Sequence, residues 1–222
     1  MENRAPNRVL VLYGGWKGHS PKKFADYTRD TLLCNYEVVC TQDLRMLHRS
    51  TLSEFDLILP IWTFGKITVR QEKDLLESVA DGLGYVGWHG NASSFLECRP
   101  HKFMLGGQFV GHPGGNEINY TVRFCSDDPI VKGLKNIRVT SEQYYLLTDP
   151  AVKVLANCRV HGGHMYWVKG VEMPVVWKRR WGKGRVFYCA LGHTVDVLQH
   201  PTVTELLSRA IAWAHRKSEM KF

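Results

Sequence analysis

The 222-residue chain lacks most of the short signatures that announce a chemistry. No two of its six cysteines form a CxxC pair. They stand at 34, 40, 98, 125, 158 and 189, and read as reduced, mostly packed thiols rather than a disulfide framework, with Cys189 in VFYCAL as core. HExxH, the P-loop and the dinucleotide-binding glycine spacing are missing, so no nucleotide cofactor is expected. Apolar runs are too short to span a bilayer, and Met-Glu-Asn-Arg-Ala-Pro does not read as a signal peptide. The expectation is a cytoplasmic protein with no membrane partner. Repeats, linkers and low-complexity tracts are absent too, which implies one domain over residues 1–222.

What is present suits a globular fold: 44% hydrophobic and 23% charged residues, in a chain long enough to bury a sizeable core. The net charge of +8 raises the question of nucleic acid. Lys and Arg are dispersed, however, and no nucleic-acid-reading motif accompanies them. The densest group, Lys178, Arg179, Arg180, Lys183 and Arg185, straddles a glycine turn and reads as a solvated hairpin end. Nucleic acid is therefore not an expected partner.

The first half alternates strand and helix signals. Arg8–Tyr13, Tyr36–Cys40, Leu57–Pro60 and Gly84–Trp88 read as buried strands. Ser20-Pro21 reads as an N-cap opening a helix to about Leu33, and Thr68-Val69-Arg70-Gln71 as a capping box before a helix bearing Leu75, Leu76, Val79 and Ala80 on one face. Such alternation marks a parallel sheet covered on both faces. The second half is β-rich: Asn119–Phe124, Ile137–Ser141, Val152–Asn157, Pro174–Arg179 and Val186–Leu191, with Trp181-Gly182-Lys183-Gly184 as a hairpin tip. A last helix runs from about Thr202 to His215. Exposed edge strands there could pair with a second copy in a homo-oligomer.

In an open parallel sheet, ligands bind beyond the carboxyl ends of the strands. Trp16 and His19 follow the first strand, Ile61 to Phe64 the third, His89, Gly90 and Asn91 the fourth, and His193 a late one. Four segments thus bring His, Trp and small residues to one edge. Each has a plainer reading: His89 as a turn residue between Gly87 and Gly90, His19 as a surface loop residue, Trp62 and Trp88 as packing. Glu142 in TSEQYYLL is either a solvated strand end or a carboxylate that orients a histidine. The glycine-rich stretch MLGGQFVGHPGGNE, with His112, implies sharp turns or a close approach to a ligand. Cys158-x2-His161-x2-His164 has two glycines in its loop and no fourth ligand, so a closed zinc site is not expected there. One divalent metal, such as zinc, held by His19, His89, His112 or His193 remains open.

Taken in order, GLGYVGWHGNASSF, MLGGQFVGHP, SEQYY, MPVVWKRRWGKGRVFYCALGH and AIAWA at 210–214 closely resemble the ThuA-like (trehalose-utilisation) family over nearly the whole chain. That resemblance implies a class I glutamine amidotransferase-like, flavodoxin-like fold: an open, mostly parallel sheet with helices on both faces, here with a β-rich elaboration. In amidotransferases the sharp turn carries a cysteine. Here it carries His89, with His193 where the partner histidine falls, so a thioester-forming glutaminase is not expected. The resemblance further implies carbohydrate metabolism, with trehalose, a related disaccharide or a keto-sugar as small-molecule partner. It suggests an isomerase, lyase or hydrolase, or alternatively a non-catalytic sugar-binding or regulatory subunit. The expected roles are catalytic for His89, His193 and Glu142 and substrate-binding for His19, Trp62, Trp88, His112 and Tyr144. Gly90-Asn91 departs from the small Ala, Ser or Thr of many relatives, and CRVHGGH lies in a region of variable length; both bear on substrate rather than fold.

Overall fold

The computed structural model describes residues 7–216. Its strands are β1 (Arg8–Gly15), β2 (Glu37–Thr41), β3 (Leu57–Thr63), β4 (Gly84–Trp88), β5 (Gly107–Gly111) and β6 (Ile118–Phe124), followed by β7 (Ile137–Ser141), β8 (Tyr145–Thr148), β9 (Lys153–Arg159), β10 (Glu172–Trp181) and β11 (Gly184–Cys189). Its α-helices are α1 (Pro21–Tyr27), α2 (Arg49–Leu52), α3 (Val69–Ala80), α4 (Arg99–Leu105), α5 (Val195–Gln199) and α6 (Pro201–Ala214).

Nine strands form one sheet in the order β2-β1-β3-β4-β11-β10-β9-β6-β7, and β5 pairs with β8 separately. The five strands from β2 to β11 are mutually parallel, in a flavodoxin-like order. The remaining four extend the sheet antiparallel. Because the order reverses at β1, right-handed crossovers put α1 on one face and α2 and α3 on the other. In keeping with this, α1 packs with α5 and α5 with α6, whereas α3 packs with α2 and α4. Val9, Leu10, Val11 and Leu12 of β1 are fully buried, as a strand covered on both faces requires. Among the described residues no helix is long and apolar enough to cross a membrane.

The Thr68 capping box forms in full and opens α3. Ser20 behaves otherwise than expected. It lies at φ 45°, and its N–H closes the preceding turn onto the Lys17 carbonyl at 2.9 Å, so its hydroxyl makes no cap bond. Pro21 alone marks the helix start.

The basic cluster is also corrected. β10 is an inner strand between β9 and β11, so it carries side chains into the packed interior as far as Arg179. Lys178 is fully buried, with its Nζ 2.7 Å from Asp128 Oδ2 and 4.5 Å from the centre of the Trp213 ring. Arg179 pairs with Asp149 at 2.8 Å. Only the tip, Gly182-Lys183, is the expected hairpin turn.

Part of the glycine-rich stretch is the strand β5. A β-carbon on Gly107 would lie 2.7 Å from the Trp177 indole, whose Nε1 donates to the Leu105 carbonyl at 2.8 Å. Glycine there lets the strand cross the ring. Cys98, Cys158 and Cys189 are buried, Cys34 and Cys125 are exposed, and the thiols are unpaired.

Candidate active site

The carboxyl ends of the parallel strands set most of the site. Gly15 of β1 is level with Thr63 of β3, and Trp88 of β4 with Cys189 of β11. The residues that follow these strands therefore meet at one edge. His19 comes after β1, His89 directly after β4, and His193 four residues after β11. Glu142 and Tyr144 arrive from the β7–β8 connection. That segment is pinned at its backbone by Tyr120, whose hydroxyl donates to the Glu142 carbonyl at 3.0 Å. Gln143 pins it too, donating to the Arg159 carbonyl at 2.9 Å and accepting from the His161 N–H at 2.7 Å.

His89 sits at φ 40°, the left-handed region that residues with a β-carbon rarely adopt. Its backbone is held there from outside: the Tyr188 hydroxyl donates to its carbonyl at 2.8 Å. Glycines make the bend possible. A β-carbon on Gly90 would fall 2.0 Å from Thr63 Oγ1 and 2.9 Å from His19 Nδ1, and one on Gly87 would fall 2.2 Å from Asn91 Oδ1. Behind the turn, Tyr85 donates to Asn91 at 2.9 Å and Asn91 to Ser94 at 3.1 Å, while the buried Lys102 ammonium caps the Ser94 carbonyl.

His19, His89, His193 and Glu142 each bring a donor atom within 4.8 Å of the others. Glu142 Oε2 is 3.1 Å from His89 Nε2 and 3.2 Å from His193 Nδ1; its Oε1 is 3.9 Å from His112 Nε2. His89 Nδ1 donates to the Ala190 carbonyl at 3.1 Å, which fixes the tautomer and leaves Nε2 with its lone pair when the ring is neutral. Tyr144 stacks on that ring at 4.2 Å with its hydroxyl 2.9 Å from Nε2. Thr63 Oγ1 holds His19 Nδ1 at 2.9 Å. His193 Nδ1 is buried yet makes no hydrogen bond, because its approach to Glu142 has the distance of one without the geometry.

Burial pushes the Glu142 carboxyl up, but His193 and His89 together outweigh it and hold the acid well below the usual carboxylate range. Burial pushes His89 down despite the Glu142 carboxylate beside it. His19 is lowered to about 4, first by burial and then by the repulsion of His89. At neutral pH an ionised carboxylate therefore faces the lone pair of a neutral imidazole at 3.1 Å. Two electron-rich atoms at that distance repel; the Tyr144 hydroxyl, 2.9 Å from Nε2, relieves part of that repulsion, and positive charge between or beside them would relieve the rest.

The remaining expected residues take distinct places. Trp62 and Trp88 line a small pocket with His19 and His89, Trp88 only 4% exposed and Trp62 packed against Gly14 and Gly65. His112 stands at the rim, outside the group of four. A cleft of about 290 Å³ opens beside His193, with Ser20, Lys23, Thr194 and Asp196 among its lining residues. In the CRVHGGH loop, Cys158 is buried while His161 and His164 are exposed. Thr63 was among the residues expected past the third strand; sequence reasoning missed Tyr188, Gln143 and the Ala190 carbonyl, which also hold the functional side chains in place and leave no sequence signal of that role.

The family profile described as ThuA, trehalose utilisation, matches residues 8–214. No curated protein matches the chain. Among solved structures, a ThuA-like protein from Bacteroides uniformis ATCC 8492 aligns with a TM-score of 0.80 at 19% identity, covering 99% of this chain and 95% of its own. A ThuA-like protein from Parabacteroides merdae ATCC 43184 gives 0.78 at 17% identity, covering 98% and 92%. A cytoplasmic protein from Salmonella typhimurium LT2 gives 0.67 at 12% identity, covering 94% and 99%. At these identities the likeness bears on the fold.

Proposed function

The chain belongs to the ThuA, trehalose-utilisation, family, which ties it to carbohydrate metabolism at family level; on that premise we propose an enzyme that acts on a sugar or keto-sugar at the His19–His89–Glu142–His193 centre. One observation carries the reading. Glu142, held ionised, faces His89 Nε2 and His193 Nδ1 at 3.1 and 3.2 Å, an arrangement that favours a positive charge next to a pocket and a cleft. Positive charge placed beside a sugar carbonyl oxygen stabilises the negative charge that develops there when a proton leaves the neighbouring carbon.

In this reading the side chains divide the work. Glu142 is the fixed anion that stabilises the charge. His193, which borders the cleft beside that anion, gives a proton to the sugar oxygen as charge develops there and recovers one from solvent. His89, kept neutral by burial with its Nδ1 proton on the Ala190 carbonyl, takes the proton that leaves the carbon on Nε2, while His19, held at Nδ1 by Thr63, orients the oxygen. Ser20, Thr194 and Asp196 offer partners for sugar hydroxyls.

The donor set of three imidazoles and a carboxylate also fits a divalent cation such as zinc. The partnerless His193 Nδ1 and the backbone-carbonyl bond on the far nitrogen of His89 both support that fit. His19, His89, His193 and Glu142 would hold the ion, which when bound would supply the same polarisation of a sugar oxygen.

The test uses tag-free protein and a panel of keto-glycosides in D2O, followed by NMR for deuterium uptake beside the ketone, with metal content measured on the same samples. Wild type is expected to catalyse exchange, and His89→Ala to slow it about 100-fold or more. Sugar binding with no exchange, isomerisation, elimination or hydrolysis would replace the enzyme reading with that of a sugar-binding or regulatory subunit.

A further inference from the structure

Trp16 and Phe64 lie just outside the four-residue centre. They follow neighbouring strands, and the Trp16 N–H donates to the Thr63 carbonyl at 3.0 Å. The indole is 49% exposed and the phenyl ring 45%. Their centroids are 6.2 Å apart, and the indole meets the His19 imidazole edge-on at 4.7 Å.

Both rings are held in these positions. The indole rests on Gly18, where a β-carbon would come within 2.4 Å of it. Phe64 lies at φ 60°, and its carbonyl accepts the Phe95 N–H at 3.1 Å. A phenylalanine in the left-handed region is strained, and strain of that kind clusters at ligand sites. The inner aromatics are less open, since Trp88 is buried and Trp62 is half-buried against two glycines. The cleft beside His193 offers Ser20, Lys23, Thr194 and Asp196 to hydroxyls, and its apolar residues are the buried Phe24 and the aliphatic Val195, so it presents no open aromatic face. Tyr166 and Trp167 are more exposed still, but their rings meet each other, whereas Trp16 touches His19 of the centre, so Trp16 and Phe64 are the open partners for the apolar face of a ring beside the histidines.

We propose that Trp16 and Phe64 form a second-ring subsite, so that the preferred substrate is a glycoside whose further pyranose or aryl ring stacks there while its sugar lies at the histidine–glutamate centre. This rests on the sugar-directed reading of that centre. Pyranose and aryl rings share the flat apolar face that an aromatic side chain recognises.

The experiment is calorimetric titration of wild type, Trp16→Ala and Phe64→Gly. The probes are the methyl glycosides of glucose and galactose, their 4-nitrophenyl glycosides, and the disaccharides maltose and lactose. Glycine suits φ 60°, so Phe64→Gly removes the ring without a folding penalty and is the safer variant if Trp16→Ala misfolds. The expected result is two-ring binding about tenfold tighter than one-ring binding in wild type. Each variant should lose most of that preference, with methyl glycoside affinity unchanged. A preference that survives both variants overturns the subsite, as does equal weakening of one-ring and two-ring probes. If methyl glycosides bind in a His89-dependent way without any two-ring preference, the subsite fails and the sugar reading stands. If no probe binds, both fail.

Discussion

Glu142→Gln removes one charge from the site and changes almost nothing in its shape. In the wild-type arrangement the carboxylate lies 3.1 Å from His89 Nε2 and 3.2 Å from His193 Nδ1. A unit positive charge at such a distance is stabilised by about 5 kcal/mol at an effective dielectric constant of about 20. His193 borders the cleft, with its side chain 18% exposed, so water screens part of that interaction. A working value of about 3–5 kcal/mol corresponds to a loss of about 10²–10⁴ in rate. The assay is deuterium uptake beside the ketone of a keto-glycoside, with circular dichroism melts to show that the variant is folded. Little stability should be lost, because the amide can still bond the imidazoles. A folded Glu142→Gln protein that exchanges within a factor of about ten of wild type would refute the reasoning, since the central charge would then contribute under about 1.4 kcal/mol.

Three further substitutions test the supporting structure. Gly90→Ala puts a methyl group 2.0 Å from Thr63 Oγ1; it should cost about 1–3 kcal/mol in urea unfolding and slow exchange by displacing His19. Asp128→Asn leaves Lys178 buried without its carboxylate and should destabilise by about 3–5 kcal/mol, while the volume-matched Lys178→Met should cost much less. Lys102 is buried and its ammonium is pushed down to about 7. A lysine with a folded pKa below its unfolded value near 10.5 binds more protons when unfolded, so wild-type stability should rise as pH climbs from about 7 toward 10. Lys102→Met should flatten that rise and be more stable by about 2 kcal/mol near pH 6, as denaturation at several pH values would show.

The parallel half of the sheet was legible because buried strands and amphipathic helices leave period signals. Gly84–Trp88 and Ile137–Ser141 were bounded to the residue, and the capping box at Thr68 formed. The convergence of His19, His89 and His193 was legible for a topological reason: parallel strands all end at one edge, so whatever follows them gathers there. Glu142 was harder, since it arrives from an antiparallel extension whose path over that edge depends on β5 and β8 pairing outside the main sheet. β5 itself was hidden by the glycines that let it cross Trp177. Lys178 misled because a charged residue is read as solvated until its partner is known, and Asp128 lies 50 positions earlier. Exposure was not legible either: Trp88 is buried and Trp62 half-buried, while the open rings beside the centre are Trp16 and Phe64.

The central claim is that Glu142 holds positive charge among His19, His89 and His193. Its most direct test is the ¹⁵N spectrum of the imidazoles at neutral pH, in wild type and in Glu142→Gln, each before and after addition of zinc. His89 should carry its proton on Nδ1 alone, and the His193 nitrogen facing Glu142 should bear either a proton or, after addition, the metal. That signature should vanish in the variant. Spectra in which these rings are neutral, indifferent to zinc and unchanged by Glu142→Gln would contradict it.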